Sequence, residues 1–235
     1  MTSAAVLWSA VRLSPKPRMA LHPNTWRHWR SLRIRFHDCW PWLYMAQQIE
    51  GWLSDVEAEA LFRISHDYVP EDCPVVVELG SWKGKSSVMI AAGLLGKKSP
   101  RLYCVDSFDA TGDAVSEPIY KGLAKQEVSL QVQFERNVSC LSHIVTPIRG
   151  YTTEVAQSWS TPLDFLFIDA SHDYEDVLND FRKWSPFIRV GGIIAFHDVS
   201  SGWPGPSRVV EENLAAPSFR ILGQRDSLVW ALKLS

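Results

Sequence analysis

The sequence predicts an α/β protein: a doubly wound, mostly parallel sheet of seven strands, with an antiparallel strand pair at its C-terminal edge. Three observations predict it. From Pro74 onward, short β-branched runs alternate with segments of helical period. The run Phe165–Ile168 is apolar throughout, as a strand covered on both faces should be. The last two runs, Phe219–Leu222 and Leu228–Leu232, are separated only by the turn-like segment 223–227, too short for a crossover helix.

In chain order, Ser54 reads as an N-cap with Glu57 three residues on, a capping box. It opens a helix whose apolar positions are Leu53, Val56, Ala60, Leu61 and Ile64. Strands are expected at Val75–Leu79, Leu102–Val105, Ile144–Ile148, Phe165–Ile168 and Ile193–Phe196, before the C-terminal pair. Helices are expected near Ser86–Leu95, Val128–Leu141, Thr153–Trp159 and Ser207–Leu214. Tyr174, Val177, Leu178, Phe181 and Trp184 form the buried stripe of another, stopping ahead of Pro186. Gly191-Gly192 reads as the turn into the fifth strand. Residues 109–125 and Ser200–Pro206 read as loops on one rim of the sheet, able to frame an acceptor or to be plain solvated connections.

The chain has 235 residues, 46% of them hydrophobic, which suits one domain plus an extension. Formal net charge is −2, so no overall field gathers nucleic acid. Residues 1–45 carry seven Lys/Arg against the single acid Asp38. We therefore divide the chain into a basic, Trp-rich extension over residues 1–50 and a domain over residues 51–235. Thr25–Phe36 is a candidate short basic helix, suited to a lid, an oligomer arm or a membrane-surface segment. A homo-oligomer formed through this extension is one expectation. Cys39, Cys73, Cys104 and Cys140 lie far apart without a CxxC, which argues against metal fingers and disulfide scaffolds. No secretory signal or bilayer-length apolar run is visible, so the expectation is a cytoplasmic protein.

Ligands of doubly wound sheets lie beyond the carboxyl ends of the strands, near the switch in strand order. Those ends read Glu78 with Gly80, then Asp106, Gly150–Thr152, Asp169–His172 and His197-Asp198. Such a concentration of acids on one rim serves no structural need. Gly80 and Gly84 allow close backbone approach to a ligand, and Ser86 and Ser87 open the following helix. Counting from Gly80, two glycines of the dinucleotide pattern are missing, and the Walker pattern is one residue short, although Lys85-Ser86 mimics its ending. Glu78, closing a buried strand, needs donors, such as a cationic amino-acid ligand or the start of the next helix. Asp106 with Ser107 can accept ribose hydroxyls or make a turn.

Val76–Ser87, Leu102–Asp106 and Phe165–Val199 together resemble the class I S-adenosylmethionine-dependent methyltransferases. The resemblance covers about residues 50–235. It is nearest to the metal-dependent branch with catechol O-methyltransferase and the macrolide-sugar O-methyltransferases, and is shared with cephalosporin-hydroxylase-like proteins. It implies the Rossmann-like methyltransferase fold and S-adenosylmethionine as cofactor. It further implies Glu78 on the amino group of the methionine part, Gly80 and Ser81 on its main chain, Ser86 on its carboxylate, and Asp106 with Ser107 on the ribose. Gly150, Tyr151 and Thr152 would border the adenine, with Tyr151 either stacking or filling core.

Asp169 and Asp198 end neighbouring strands, which lie about 4.8 Å apart, and facing carboxylates repel unless a proton or cation lies between them. A hard divalent ion, Mg²⁺ or another metal, resolves this, with Asp169, His197 and Asp198 as the ligand set and Asp169 also bordering the cofactor. His197 departs from the family pattern, which places Asp-Asn or Glu-Asp at this strand end; imidazole suits Zn²⁺ or Fe²⁺ better than Mg²⁺, and a core position and a second base are its alternative readings. His172 matches the family's base position. The reading is O-methylation of a small-molecule hydroxyl, in a sugar-containing or phenolic metabolite. Its alternatives are an oxidative, cephalosporin-hydroxylase-like enzyme on the same fold, or a non-catalytic binding module using the basic arm.

Overall fold

The computed structural model describes residues 38–124, 128–200 and 202–235. Seven strands form one sheet in the order β3-β2-β1-β4-β5-β7-β6. They are β1 (Val75–Leu79), β2 (Arg101–Asp106), β3 (Val145–Arg149), β4 (Leu163–Ile168), β5 (Ile188–Phe196), β6 (Phe219–Arg225) and β7 (Leu228–Lys233). The first five run parallel, and β7 pairs antiparallel with both β5 and β6. This is the predicted doubly wound sheet with its antiparallel edge. The strand order reverses between β1 and β4, so a crevice opens there.

Helices cover both faces. One face carries α1 (Trp40–Gln47), α2 (Asp55–Asp67), α3 (Lys85–Gly93) and α5 (Leu130–Asn137), with Leu43, Leu61, Ile90 and Phe134 buried against the sheet. The other carries α6 (Thr152–Ser158), α7 (Tyr174–Trp184) and α8 (Pro204–Asn213), through residues such as Ala156, Val177, Trp184 and Val210. The short α4 (Glu117–Leu123) lies in the connection after β2. β1 and β4 are buried at every position, Glu78 and Asp164 included, which explains why the rest of both strands is apolar.

Local signals explain most boundaries. The capping box holds: Ser54 Oγ accepts from the Glu57 N–H at 3.3 Å, and Glu57 Oε2 from the Ser54 N–H at 2.9 Å. α7 buries Val177, Leu178, Phe181 and Trp184, and gives way to a 3₁₀ turn containing Pro186.

The structure departs from the sequence reading in five places. The segment 128–141 is α5, which starts two residues inside the expected start behind its Ser129 cap, followed by a separate 3₁₀ turn at Ser139–Leu141. Residues 109–125 hold α4 rather than loop alone, with Pro118 in its first turn. Gly191-Gly192 lies inside β5, next to a shift in the β4–β5 register, rather than ahead of the strand. α8 begins at Pro204, where a proline costs a helix nothing. Finally, α1 lies within the expected extension, and Cys39, Leu43, Ala46 and Ile49 are buried in the main core. The candidate helix Thr25–Phe36 lies outside the described residues. Among the described residues, all four cysteines are free and no helix is long and apolar enough to cross a membrane.

Candidate functional site

Two clefts open along the carboxyl ends of the parallel strands. They share Gly80, Asp106, Thr111 and Ala170, so they form one groove over the point where the strand order reverses. Of the site residues predicted from sequence, Ser107, Gly150, Tyr151 and Thr152 line one arm. Ser81, Ser86, Asp169, His172, His197 and Asp198 line the other. Gly80 and Asp106 lie in both.

Glu78 is the exception. It lines neither cleft and is fully buried, with Ser86 Oγ donating to Oε1 at 2.5 Å and Ser87 Oγ donating to Oε2. Burial pushes its carboxyl up to about 7 against the opposing effect of these bonds. Glu78 thus holds the two serines at the start of α3, and the structure gives it no direct face on the groove.

The cradle geometry is set by backbone. Gly80 has φ +82°, and a Cβ there would lie 2.3 Å from the Asp169 carbonyl oxygen, so β1 and β4 approach as only glycine permits. Asp106 Oδ2 accepts from the Ser81 and Trp82 N–H groups at 2.9 and 2.8 Å, and Oδ1 from the Phe108 N–H at 2.6 Å. Burial raises its pKa, while these bonds oppose the rise. Asp106 therefore ties the β1–α3 loop to the end of β2 as well as bordering the groove. Tyr151 is half exposed on the groove wall, and its hydroxyl donates to Asp109 Oδ2 at 3.1 Å, so it does not fill core. Thr152 Oγ1 donates to Asp180 at 2.5 Å.

The polar centre comprises two histidines among carboxylates. His172 Nδ1 lies 2.7 Å from Asp113 Oδ2, and Nε2 lies 2.9 Å from Asp198 Oδ2. Burial alone would lower the His172 pKa, but its two carboxylate bonds outweigh this and raise it. Trp203 stacks on the imidazole, with centroids 3.9 Å apart and planes 19° from parallel. The backbone beneath is close: a Cβ on Gly205 would lie 2.1 Å from the His172 carbonyl oxygen.

His197 is 5% exposed and faces three acids. Nδ1 lies 3.1 Å from Asp169 Oδ1 and 3.2 Å from Asp198 Oδ2, and Nε2 lies 3.3 Å from Glu57 Oε2. The last is an ion-pair distance without hydrogen-bond alignment. Burial opposes the charged imidazolium, but the surrounding carboxylates, Asp169 first, raise its pKa well above the usual histidine value. Burial raises the Asp169 carboxyl, with His197 opposing, while bonds to His172 and His197 hold Asp198 well below the usual carboxylate range despite its own burial. One ligand atom from each of Asp169, His197 and Asp198 falls within 4.8 Å of the others, a spacing that admits a metal ion.

Sequence reasoning missed four kinds of participant. Asp113 anchors His172, and Glu57 anchors His197 while also accepting from the Ser227 N–H and Oγ at 2.9 and 2.7 Å. Trp52, Trp82 and Tyr120 form one wall, and Lys85 lines the groove with its ammonium on the Gly51 carbonyl at 3.0 Å. Glu57 carried a signal in its place in the capping box, and Lys85 in the Walker-like ending Lys85-Ser86.

A parallel sheet ordered 3-2-1-4-5, an antiparallel edge strand pair and a groove at the reversal define a Rossmann-like protein of the methyltransferase architecture. Residues 77–199, more than half of the chain, match the family model described as "Methyltransferase domain", and the chain belongs to that family. It is 24% identical over 163 residues to the uncharacterized protein R132 of Acanthamoeba polyphaga mimivirus, a match covering 66% of this chain and 64% of the relative. The chain thus spans less than two thirds of that relative's length. Among solved structures, it is similar in fold to cofactor-bound Rv0187 from MTB (TM-score 0.61, 14% identity, 92% of this chain and 99% of that one). It is also similar to the O-methyltransferase NovP (0.60, 19%, 77% and 81%) and the Bacillus cereus O-methyltransferase in complex with SAH (0.56, 16%, 98% and 98%).

Proposed function

We propose that this chain is an S-adenosylmethionine-dependent O-methyltransferase acting on a small-molecule hydroxyl. The observation that carries the reading is the placement of His172, half-buried and held between Asp113 and Asp198, in the arm of the groove that also contains the glycine cradle. Family membership and the cofactor-containing structural neighbours support it. We assign the methyltransferase unit to residues 51–235, with the segment from Cys39 packed onto it.

In this reading Tyr151 and Thr152 would hold the adenine, Asp106 and Ser107 the ribose, and Gly80, Ser81 and Ser86 the methionine part of the cofactor along the groove. When bound, it supplies an electrophilic methyl group on sulfur. Asp113 holds His172 through Nδ1 and turns Nε2 toward Asp198 and the groove. There Nε2 takes the proton of the acceptor hydroxyl as its oxygen forms the new bond to the methyl carbon. The methyl transfer would leave the carbon–sulfur electron pair on sulfur. Asp198 then stabilises the imidazolium. General-base help of this kind is worth roughly 10²–10⁴-fold.

Asp169, His197 and Asp198 fit a divalent cation by spacing, and Glu57 behind the His197 imidazole is the carboxylate partner that a ligating histidine commonly has. The mixed nitrogen and oxygen set suits Zn²⁺ or Fe²⁺ better than Mg²⁺. Such an ion would polarise the acceptor oxygen. The same imidazole favours, as a second reading, an iron-dependent oxidation, which would consume oxygen and leave S-adenosylmethionine intact.

The test is calorimetric titration of the full chain with S-adenosylmethionine and its demethylated product, followed by transfer of labelled methyl to an acceptor panel with and without chelator. Binding of both, with turnover falling at least 100-fold in His172→Ala, is expected. Absence of binding would remove the methyltransferase reading, and a His172→Ala enzyme within a few-fold of wild type would remove the base.

A further inference from the structure

Six hydroxyl side chains line the arm of the groove that holds Tyr151, and five of them commit their hydrogen to a carboxylate. Ser107 Oγ, Thr111 Oγ1 and the Tyr151 hydroxyl all donate to Asp109, at 2.5, 2.6 and 3.1 Å. Ser171 Oγ donates to Asp176 at 3.0 Å, and Thr152 Oγ1 donates to Asp180 at 2.5 Å. The sixth is Thr153. The direction of the five bonds follows from chemistry, because an ionised carboxylate only accepts. Partial burial opposes the charge on Asp109, yet the bonds from Ser107, Thr111 and Tyr151 outweigh it and bring the carboxyl down to about 2. The five hydroxyl residues are half-buried or exposed, so a ligand in the groove reaches them. Among the described residues, no Lys, Arg or His lines this arm. Its side chains therefore offer lone pairs far more than hydrogens.

The Thr152–Asp180 pair is the most firmly built of these contacts. Asp180 is 2% exposed, and an aliphatic side chain would sit between α6 and α7 without the desolvation that a carboxyl suffers there. α7 holds the same turn twice more: Trp184 Nε1 donates to the Thr152 carbonyl at 3.1 Å, and Lys183 Nζ donates to the Thr153 carbonyl at 3.2 Å. Thr152 is thus fixed in side chain and main chain. Its single hydroxyl hydrogen is engaged by Asp180, which leaves the oxygen as an acceptor.

We infer that Thr152, oriented by Asp180, selects the base in this arm, accepting a hydrogen from a 6-aminopurine and disfavouring a 6-oxopurine. The inference rests on the S-adenosylmethionine reading and deepens it: Thr152 is the specificity-determining residue and Asp180 the positioning residue behind it. An exocyclic amine brings the hydrogen that the pair lacks. A 6-oxo group in its place sets lone pairs against lone pairs, and both sides lose water without gaining a bond. Sites built to bond one polar group reject analogues that cannot complete the bond much more strongly than apolar pockets reject a change of size.

The experiment titrates the full chain with S-adenosylhomocysteine and, separately, with S-inosylhomocysteine, which carries a 6-oxo group and N1 hydrogen in place of the 6-amino group. Burial pushes the Asp180 carboxyl up to about 7, so the calorimetry is done at pH 8.5, where it is ionised. Wild type is expected to bind the amino ligand at least tenfold more tightly. Thr152→Val and Asp180→Asn should each bring that preference below threefold, and Thr152→Ser, which keeps the hydroxyl, should retain it. Equal affinities in wild type overturn the inference, as does a tenfold preference that survives in either folded variant, Thr152→Val or Asp180→Asn. A preference lost to the same extent in Thr152→Ser would also overturn it, because packing rather than the hydroxyl would then set the choice. Thr152→Val decides the matter should Asp180→Asn fail to fold. Absence of S-adenosylhomocysteine binding in wild type would instead remove the underlying methyltransferase reading, whereas binding without preference removes only the inference.

Discussion

Glu57→Gln is the substitution whose cost the structure and the local sequence signal value most differently. As a capping-box residue alone, Glu57 would contribute about 1 kcal/mol. In the fold it is 4% exposed, its oxygens accept from Ser54 and from both Ser227 donors, and it faces His197. Burial works against ionisation, but the facing His197 imidazole and the bonds from Ser227 and Ser54 outweigh it and bring the carboxyl from 4.5 down to about 2. At about 1.36 kcal/mol for each pKa unit, the ionised form contributes roughly 3 kcal/mol to stability. The folded pKa is depressed, so this contribution is present above the unfolded value near 4.5 and is lost as pH falls toward 2. Glutamine removes it at neutral pH, lowering Tm by roughly 6–12 °C for a chain of this size. Urea denaturation at pH 7 and pH 4 is the assay: the gap between variant and wild type should be near 3 kcal/mol at pH 7 and smaller at pH 4. A pH-independent loss of 1 kcal/mol or less would show that Glu57 only caps α2 and that its links to the β6–β7 turn and His197 carry no energy.

Other expectations follow from the same geometry. In the proposed mechanism His172 works as a neutral base, and Asp198 and Asp113 raise its pKa, so kcat/KM should rise with pH along a limb whose midpoint lies above 6.5. Asp113→Asn should move that limb to lower pH and reduce kcat about tenfold, and an unmoved pH–rate profile would rule out Asp113 as the positioning residue. Gly80→Ala forces a Cβ to within 2.3 Å of the Asp169 carbonyl at φ +82°; the conformation alone costs roughly 1–2 kcal/mol. Calorimetry should therefore show at least a tenfold loss of S-adenosylhomocysteine affinity alongside a lower Tm. Glu78 has a raised pKa near 7, so its protonated form is stabilising at low pH and that contribution fades as pH rises from the unfolded value through 7. Glu78→Gln should flatten this dependence, and strong destabilisation of the variant at pH 8.5 would contradict it. Titration with Zn²⁺ should reveal one site that His197→Ala weakens at least tenfold, and equal affinities in the two proteins would remove His197 from the ligand set.

The fold was legible because its signals are local. β-branched runs, the capping box and the stop at Pro186 each depend on a few adjacent residues. α1 was missed because its eight residues, WPWLYMAQ, carry Trp and Tyr on several sides and no clear polar face. The break between α5 and its 3₁₀ turn and the placement of Gly191-Gly192 inside β5 depend on caps and neighbouring strands. The apolar pattern does not distinguish these outcomes from the expected ones.

The rim was legible for a related reason: in a doubly wound sheet, strand ends converge whatever the loops do, so Asp106, Asp169, His172, His197 and Asp198 could be gathered without knowing any contact. Direction is a different matter. Strand side chains alternate, and Val77 and Leu79 belong to the core under α7, whereas Val76 belongs to the core under α3. Glu78 shares the parity of Val76 and so turns toward α3, where Ser86 and Ser87 take its oxygens. The period of two was available in the sequence; the choice of face needed the sheet order. Partners that come from loops leave no such trace. Asp113 reaches His172 across 59 positions and Glu57 reaches Ser227 across 170, in stretches that composition alone describes as polar. The shape of the groove depends mainly on these non-local partners, which is why its strand ends could be read from the sequence while the wall that Trp52, Trp82 and Tyr120 build together could not.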